Sequence, residues 1–209
     1  MTDAPLHFYY NPHSRAAIVH WMLEELGVPY EMHVLRFDKA EHKTPEFLAI
    51  NPMGKVPTIK HGDIVVTEGP AICTYLADAF PAAGFAPAIG DPRRGPYLRW
   101  MFFSGSCLEP ALADKALKRE PGKPSMMGYG SFEDTMNAAK TAIANGPYVL
   151  GDMFSAADVI FGSTLLYGMM FDIFPKEPEF VAYGESLKAR PAYQRSEAKG
   201  KEIAASWQQ

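Results

Sequence analysis

Cysteine is scarce in this chain of 209 residues: only Cys73 and Cys107 occur, and they form no CxxC pair. That excludes a disulfide framework, a dithiol redox centre and a thiolate-rich metal cluster. Each cysteine sits in helix-like sequence, where it reads as a small buried hydrophobe. An excess of positive charge is missing too, because 20 Lys and Arg stand against 24 Asp and Glu, a net charge of −4. No basic stripe is available for a nucleic-acid backbone, so nucleic acid is not an expected partner. Long apolar runs are also lacking, and nothing approaches the ~18 uninterrupted apolar residues of a membrane span. The stretch Met1-Thr-Asp-Ala-Pro-Leu6 has neither a basic start nor an apolar run after it. No export signal is read there, and a reducing, cytoplasmic location is predicted.

What remains is a hydrophobic fraction of 47%, enough for a proper core. Leu6-His-Phe-Tyr-Tyr10 reads as a short first strand. Asn11 and Pro12 are the cap and first position of a helix continued by Ile18, Trp21, Met22 and Leu26, with Gly27 ending it. A second strand is predicted over 30–36 and a helical turn from Thr44. Two further strands, 55–60 and 64–67, flank the hairpin signal His61-Gly62-Asp63. Glu68 leads into another amphipathic helix. The order β-α-β-α-β-β-α implies a mixed sheet, since only the last strand pair is a hairpin.

Residues 82–92 are rich in Pro, Gly and Ala and read as a linker. Beyond it the pattern is helical, with a loop expected over 118–130. Ser155-Ala-Ala-Asp158 has the form of a capping box, with Phe154 and Val159 placed for a hydrophobic staple. The helix it opens is apolar almost all round and is expected at the centre of its domain. The predicted fold class is an α/β domain over 1–81, the linker 82–92, and an all-α helical bundle over 93–209.

Two constellations carry chemistry. Val56-Pro57 enters a strand with a residue that donates no N–H. A cis peptide there would leave the Val56 N–H and C=O to pair with an extended peptide, and an edge-strand proline without a ligand explains the pair equally well. Glu68-Gly69 opens a helix, where backbone N–H groups favour a carboxylate and the Glu68 carboxylate could hold an ammonium. Simple helix stabilisation by an acidic residue accounts for it as well.

Taken together, Asn51-Pro-Met-Gly-Lys-Val-Pro57, Thr67-Glu-Gly-Pro-Ala-Ile72, the Ser155–Asp158 box and the order of elements resemble the cytosolic glutathione transferase family, over essentially the whole chain. The resemblance implies a thioredoxin-like N-terminal domain that binds glutathione, a helical domain facing a small hydrophobic electrophile, a homodimer, and no metal. It assigns the cysteinyl backbone of glutathione to Val56 beside a cis Pro57, and the γ-glutamyl end to Glu68 and Gly69. Many members carry Ser where Gly69 stands, so that side-chain contact is missing here. His42, Lys43 and Lys55 are the cationic candidates for the glycyl carboxylate, with Lys55 fixed by the motif.

Glutathione attacks as a thiolate, and a free thiol has pKa ~8.5, so the protein must supply a donor or positive field at sulfur. The resemblance places that group in Tyr9-Tyr-Asn-Pro-His-Ser-Arg15. A tyrosine-type register selects Tyr9, a serine-type register Asn11, and a cysteine-type register Arg15, which has no thiol. Ser14, with a hydroxyl near the helix start, is a fourth candidate. The expected order is Tyr9, Ser14, Asn11, with Arg15 an electrostatic helper. For the electrophile the candidates are Phe103, Ser106 and Cys107. A transferase of glutathione onto apolar electrophiles is the leading function. A glutathione-dependent peroxidase or isomerase, or a non-catalytic binding subunit of the same fold, are the alternatives.

Overall fold

The structure is a computed structural model that describes residues 4–120 and 122–207. Residues 1–3 of the N-terminal stretch, Pro121 of the loop expected over 118–130, and residues 208–209 lie outside the described residues. The chain divides into two compact units: the described parts of Met1–Ala83 and Arg190–Gln209 make one, and Gly84–Ala189 the other.

The first unit follows the predicted order: β1 (Leu6–Tyr10), α1 (Ala16–Leu26), β2 (Glu31–Val34), α2 (Pro45–Ile50), β3 (Thr58–His61), β4 (Ile64–Thr67) and α3 (Gly69–Ala79). Its sheet has the strand order β2-β1-β3-β4. β1 pairs with β2 in parallel, across the α1 crossover, and with β3 antiparallel; β3 and β4 form the hairpin. Along β1 the alternation is clean, with Leu6, Phe8 and Tyr10 buried and His7 and Tyr9 on the half-exposed face. The buried row meets α1, whose Ile18, Val19, Trp21, Met22 and Leu23 are also buried. Gly27 adopts φ 64° and closes α1 by returning its N–H to the Leu23 carbonyl.

One expected boundary is corrected. Asn11 and Pro12 do not start the helix, which begins at Ala16 with Arg15 in the cap position. Asn11 instead clasps the connecting turn: its Oδ1 accepts from the His13 N–H at 2.8 Å, and its Nδ2 donates to the Leu35 carbonyl at 2.7 Å. The Asn-Pro pair marks a turn with equal force, and the partner Leu35, 24 residues away, is invisible to local pattern.

The final helix, α9 (Pro191–Ser206), packs on α1 and so belongs to this first unit, whereas the sequence pattern grouped 93–209 together. Tyr193 meets Trp21 edge-on at 5.1 Å. Arg190 grips the nearly buried Glu25 carboxylate with two hydrogen bonds, at 2.6 and 2.8 Å, and Arg195 donates to Glu24 at 2.8 Å. A bidentate guanidinium–carboxylate pair fixes orientation as well as adding energy.

The second unit contains α4 (Arg94–Phe103), a π-helical turn (Ser104–Leu108), α5 (Glu109–Ala116), α6 (Phe132–Ile143), α7 (Ala156–Met170) and α8 (Pro178–Lys188). As expected, α7 is buried on nearly every side, from Ala156 to Met169. Among the described residues no helix is long and apolar enough to cross a membrane. The capping box is present: the Ser155 N–H donates to Asp158 Oδ2 at 2.9 Å, and the Ser155 Oγ accepts from the Ala157 N–H at 3.2 Å. Phe154 packs edge-on against Phe85 and Tyr148. Asp158, fully buried, also accepts from the Val149 N–H and the Tyr183 hydroxyl. Burial pushes its carboxyl up to about 6 even though these donors pull it down.

Removing that acceptor would leave buried donors without partners. Asp158→Ala is therefore expected to cost about 3 kcal/mol, seen as a fall in Tm of roughly 6–12 °C in a thermal melt. An unchanged Tm would show that the network does not hold the start of α7.

Candidate functional site

Strand register brings three chain segments together. Thr58 of β3 pairs with Tyr9 of β1 on one side and with Thr67 of β4 on the other. Continuing both ladders by two residues sets Val56-Pro57 between the end of β1, at Tyr10-Asn11, and the Glu68-Gly69 start of α3. The Val56-Pro57 peptide bond is cis. Among the described residues, neither the Val56 N–H nor its C=O is hydrogen-bonded to another residue. Glu68 adopts φ 67°, ψ 118° in the cap position of α3, outside the regions a non-glycine residue prefers. Such strain costs roughly 1–3 kcal/mol and clusters at ligand-holding positions.

The loop that carries Val56 is stitched by Asn51, which is 3% exposed. Its amide donates to the Lys55 carbonyl at 2.8 Å and to Thr58 Oγ1 at 3.0 Å, and its Oδ1 accepts from the Met53 N–H at 3.1 Å. Gly54, in the same loop, has φ +58°, and a Cβ there would lie 2.6 Å from the His42 carbonyl oxygen. Only glycine fits that close approach.

A cleft of about 540 Å³ is lined by Ser14, Arg15, His42, Lys55 and Val56. The structure thus unites residues from the α1 entry, the 3₁₀ turn at 41–43 and the Val56 loop. Phe37, Lys43 and Gly54 complete the lining. Phe37 escaped the sequence reading because an aromatic beside Asp38 and Lys39 has no distinguishing local pattern. His42 rests against Phe37, ring centroids 4.7 Å apart, and its Nδ1 is buried without a hydrogen-bond partner among the described residues. Lys43 is held by the Met53 carbonyl at 3.0 Å, while Lys55 is solvent-exposed.

The four activation candidates separate. Ser14 lines the cleft; its Oγ donates to the Asn11 carbonyl at 2.7 Å and accepts from the Ala16 N–H at 3.1 Å. Arg15 lies beside it, at the N-terminus of α1, where the helix presents positive potential. Asn11 is 1% exposed, with its amide committed to the turn. Tyr9 is not part of the cleft lining: it stacks on His33 at 4.9 Å and meets Phe47 at 5.2 Å. Burial, with a smaller contribution from Glu31, raises its phenol above the usual value.

In the second unit, Phe103 packs edge-on to Trp100 at 5.3 Å, at the end of α4. Ser106 is exposed and Cys107 half-buried on the π-helical turn that follows. Burial raises the Cys107 thiol, and raises that of fully buried Cys73 further still, so neither is a ready thiolate.

Comparison with known proteins yields consistent matches. The family model for the glutathione S-transferase N-terminal domain matches residues 4–78. The chain is 29% identical over 186 residues to glutathione S-transferase A of Pleuronectes platessa, covering 84% of this chain and 83% of that protein. The crystal structure of a glutathione transferase from Methylococcus capsulatus superposes with a TM-score of 0.78 at 28% identity, over 94% of this chain and 98% of that one. Residues 4–78 thus match the glutathione S-transferase N-terminal domain family, and over most of its length the chain is similar to cytosolic glutathione transferases. A glutathione transferase homologue from Sulfitobacter, solved with bound glutathione, aligns with a TM-score of 0.76 at 28% identity, over 94% and 99% of the two chains. These likenesses support a glutathione-transferase-like function in the general sense, on the thioredoxin-like fold common to the superfamily.

The Asn51 side-chain bonds restrain the Val56 loop from both ends. Asn51→Ala is expected to destabilise the protein by about 2 kcal/mol and to speed amide hydrogen exchange across residues 52–56. Exchange and melting identical to the parent chain would contradict that role.

Proposed function

We propose that the protein binds glutathione in this cleft, lowers the pKa of its thiol, and transfers it to small apolar electrophiles. The observation that carries the reading is the cis-linked Val56 with both backbone groups unpaired, beside the strained Glu68 and the cleft at Ser14. An extended cysteinyl residue pairs with the Val56 N–H and C=O as an added strand would. The Glu68 carboxylate takes the γ-glutamyl ammonium, and the Gly69 N–H at the start of α3 takes its carboxylate. His42 and Lys55 supply the polar and cationic groups for the glycyl end. The assignment draws support from the Sulfitobacter homologue with bound glutathione.

Sulfur then lies at the α1 entry, and Ser14 takes precedence over Tyr9 as its donor. The Ser14 hydroxyl is spent on a neutral carbonyl, and a hydroxyl rotor turns readily to a charged acceptor. The thiolate forms a stronger, charge-assisted bond than the carbonyl did. Arg15 and the N-terminus of α1 add positive potential. Asn11 keeps the turn in shape. The electrophile is assigned to Phe103, Ser106 and Cys107 of the helical unit, and the working assembly to a homodimer in the cytoplasm.

Thiol absorbance titration of the glutathione complex tests the donor. Ser14→Ala is expected to raise the bound thiol pKa by about one unit, or ~1.4 kcal/mol, with little change in affinity, while Tyr9→Phe leaves it in place. The reverse pattern would transfer the role to Tyr9. Absence of saturable glutathione binding would remove the transferase reading altogether.

A further inference from the structure

The half-exposed face of the sheet carries a cluster that the glutathione site does not use. Parallel pairing of β1 and β2 sets His7 opposite Glu31 and Tyr9 opposite His33, so His7, Glu31 and His33 share one face. Their donor atoms converge. His7 Nδ1 and His33 Nε2 are 3.0 Å apart, His7 Nδ1 and Glu31 Oε2 are 3.2 Å apart, and His33 Nε2 and Glu31 Oε1 are 3.5 Å apart. All the ligand atoms lie within 4.8 Å of one another.

We propose that His7, Glu31 and His33 form a binding site for a borderline divalent cation of the zinc class. Metal–ligand bonds of about 2.0–2.1 Å in a tetrahedron place neighbouring ligand atoms about 3.3 Å apart. The two ring nitrogens stand 3.0 Å apart and lie 3.2 and 3.5 Å from different oxygens of Glu31, all near that value, so a cation could enter once the carboxylate turns to present one oxygen or both. Hydrogen bonding alone serves the cluster poorly. A neutral imidazole has one N–H: a hydrogen shared between His7 Nδ1 and His33 Nε2 is lost to the carboxylate, and hydrogens on both nitrogens that serve Glu31 leave two N–H groups facing each other at 3.0 Å. A central cation satisfies a lone pair on each of the three atoms at once. Two imidazoles with one carboxylate suit zinc, nickel, copper or iron rather than magnesium or calcium, which take oxygen ligands.

The ligands are also held ready. His7 and Glu31 are fixed by the β1–β2 ladder, and the His33 ring stacks on Tyr9, which in turn rests on Phe47. The two histidine side chains are 28% and 32% exposed, and Glu31 is 65% exposed, so the cation has a path from solvent. Tyr9 acquires a role on this face, as the platform that orients His33.

Calorimetric titration of the full chain with zinc chloride, in a thiol-free buffer that does not chelate, tests the site. Binding at about one zinc per chain is expected. Loss of a direct ligand in His7→Gln or His33→Gln should weaken it at least as much as the ~10–100-fold seen for outer-shell partners. Histidine ring resonances of the parent chain, followed through the same titration, should shift at His7 and His33. Failure of zinc to saturate, equal affinity in the parent and the folded variants, or ring shifts confined to His13 or His42 would each overturn the proposal.

Discussion

The central strand β3 is the constraint on which the first unit depends. Because Thr58 pairs with Tyr9 and Thr67 together, the chain just before β3 must lie between the end of β1 and the start of α3. Those positions hold the turn to α1, the cis Val56-Pro57 bond and the strained Glu68. None of the three makes a site alone. The turn supplies a hydroxyl and positive helix potential, Val56 supplies open backbone groups, and Glu68 supplies a carboxylate at a helix start. Sheet register brings three separate chain segments together, and this is the surface on which glutathione binding is proposed.

Support for that surface comes from residues that touch no ligand. Asn51 holds the Val56 loop through Lys55 and Thr58, and Asn11 holds the α1 entry through Leu35 and His13. Both asparagines are buried with their amide nitrogen and oxygen each engaged, which restrains their geometry. The Arg190–Glu25 pair attaches α9 to α1, the helix whose N-terminus faces the cleft. The loops proposed to bind the ligand thus rest on buried polar clasps.

The parts legible from sequence were those written in local chemistry. The alternation of Leu6, Phe8 and Tyr10, the αL glycine at Gly27, the turn at Gly62-Asp63 and the Ser155–Asp158 box all specify their structures within a few residues. His42, Lys55 and Val56 line one cleft, but only Lys55 and Val56 share a motif, and His42 reaches it from the separate turn at 41–43. What escaped depends on pairing between distant residues. The direction of the Tyr9 ring follows from its neighbours His33 and Phe47, and the attachment of α9 from partners 165 residues apart. His7, Glu31 and His33 become one cluster only through the parallel ladder, which is why a scan for ligand spacing passes over them.

Residue-resolved amide NMR during a titration with glutathione tests the central claim most directly, because it reads the backbone groups that the sheet register brings together. Saturable shifts are expected at Val56 and Gly69, and at Ser14 and Arg15, with the far face of the sheet unmoved. Shifts absent from Val56 and Gly69, or scattered without saturation, would contradict the claim that these segments form one binding surface.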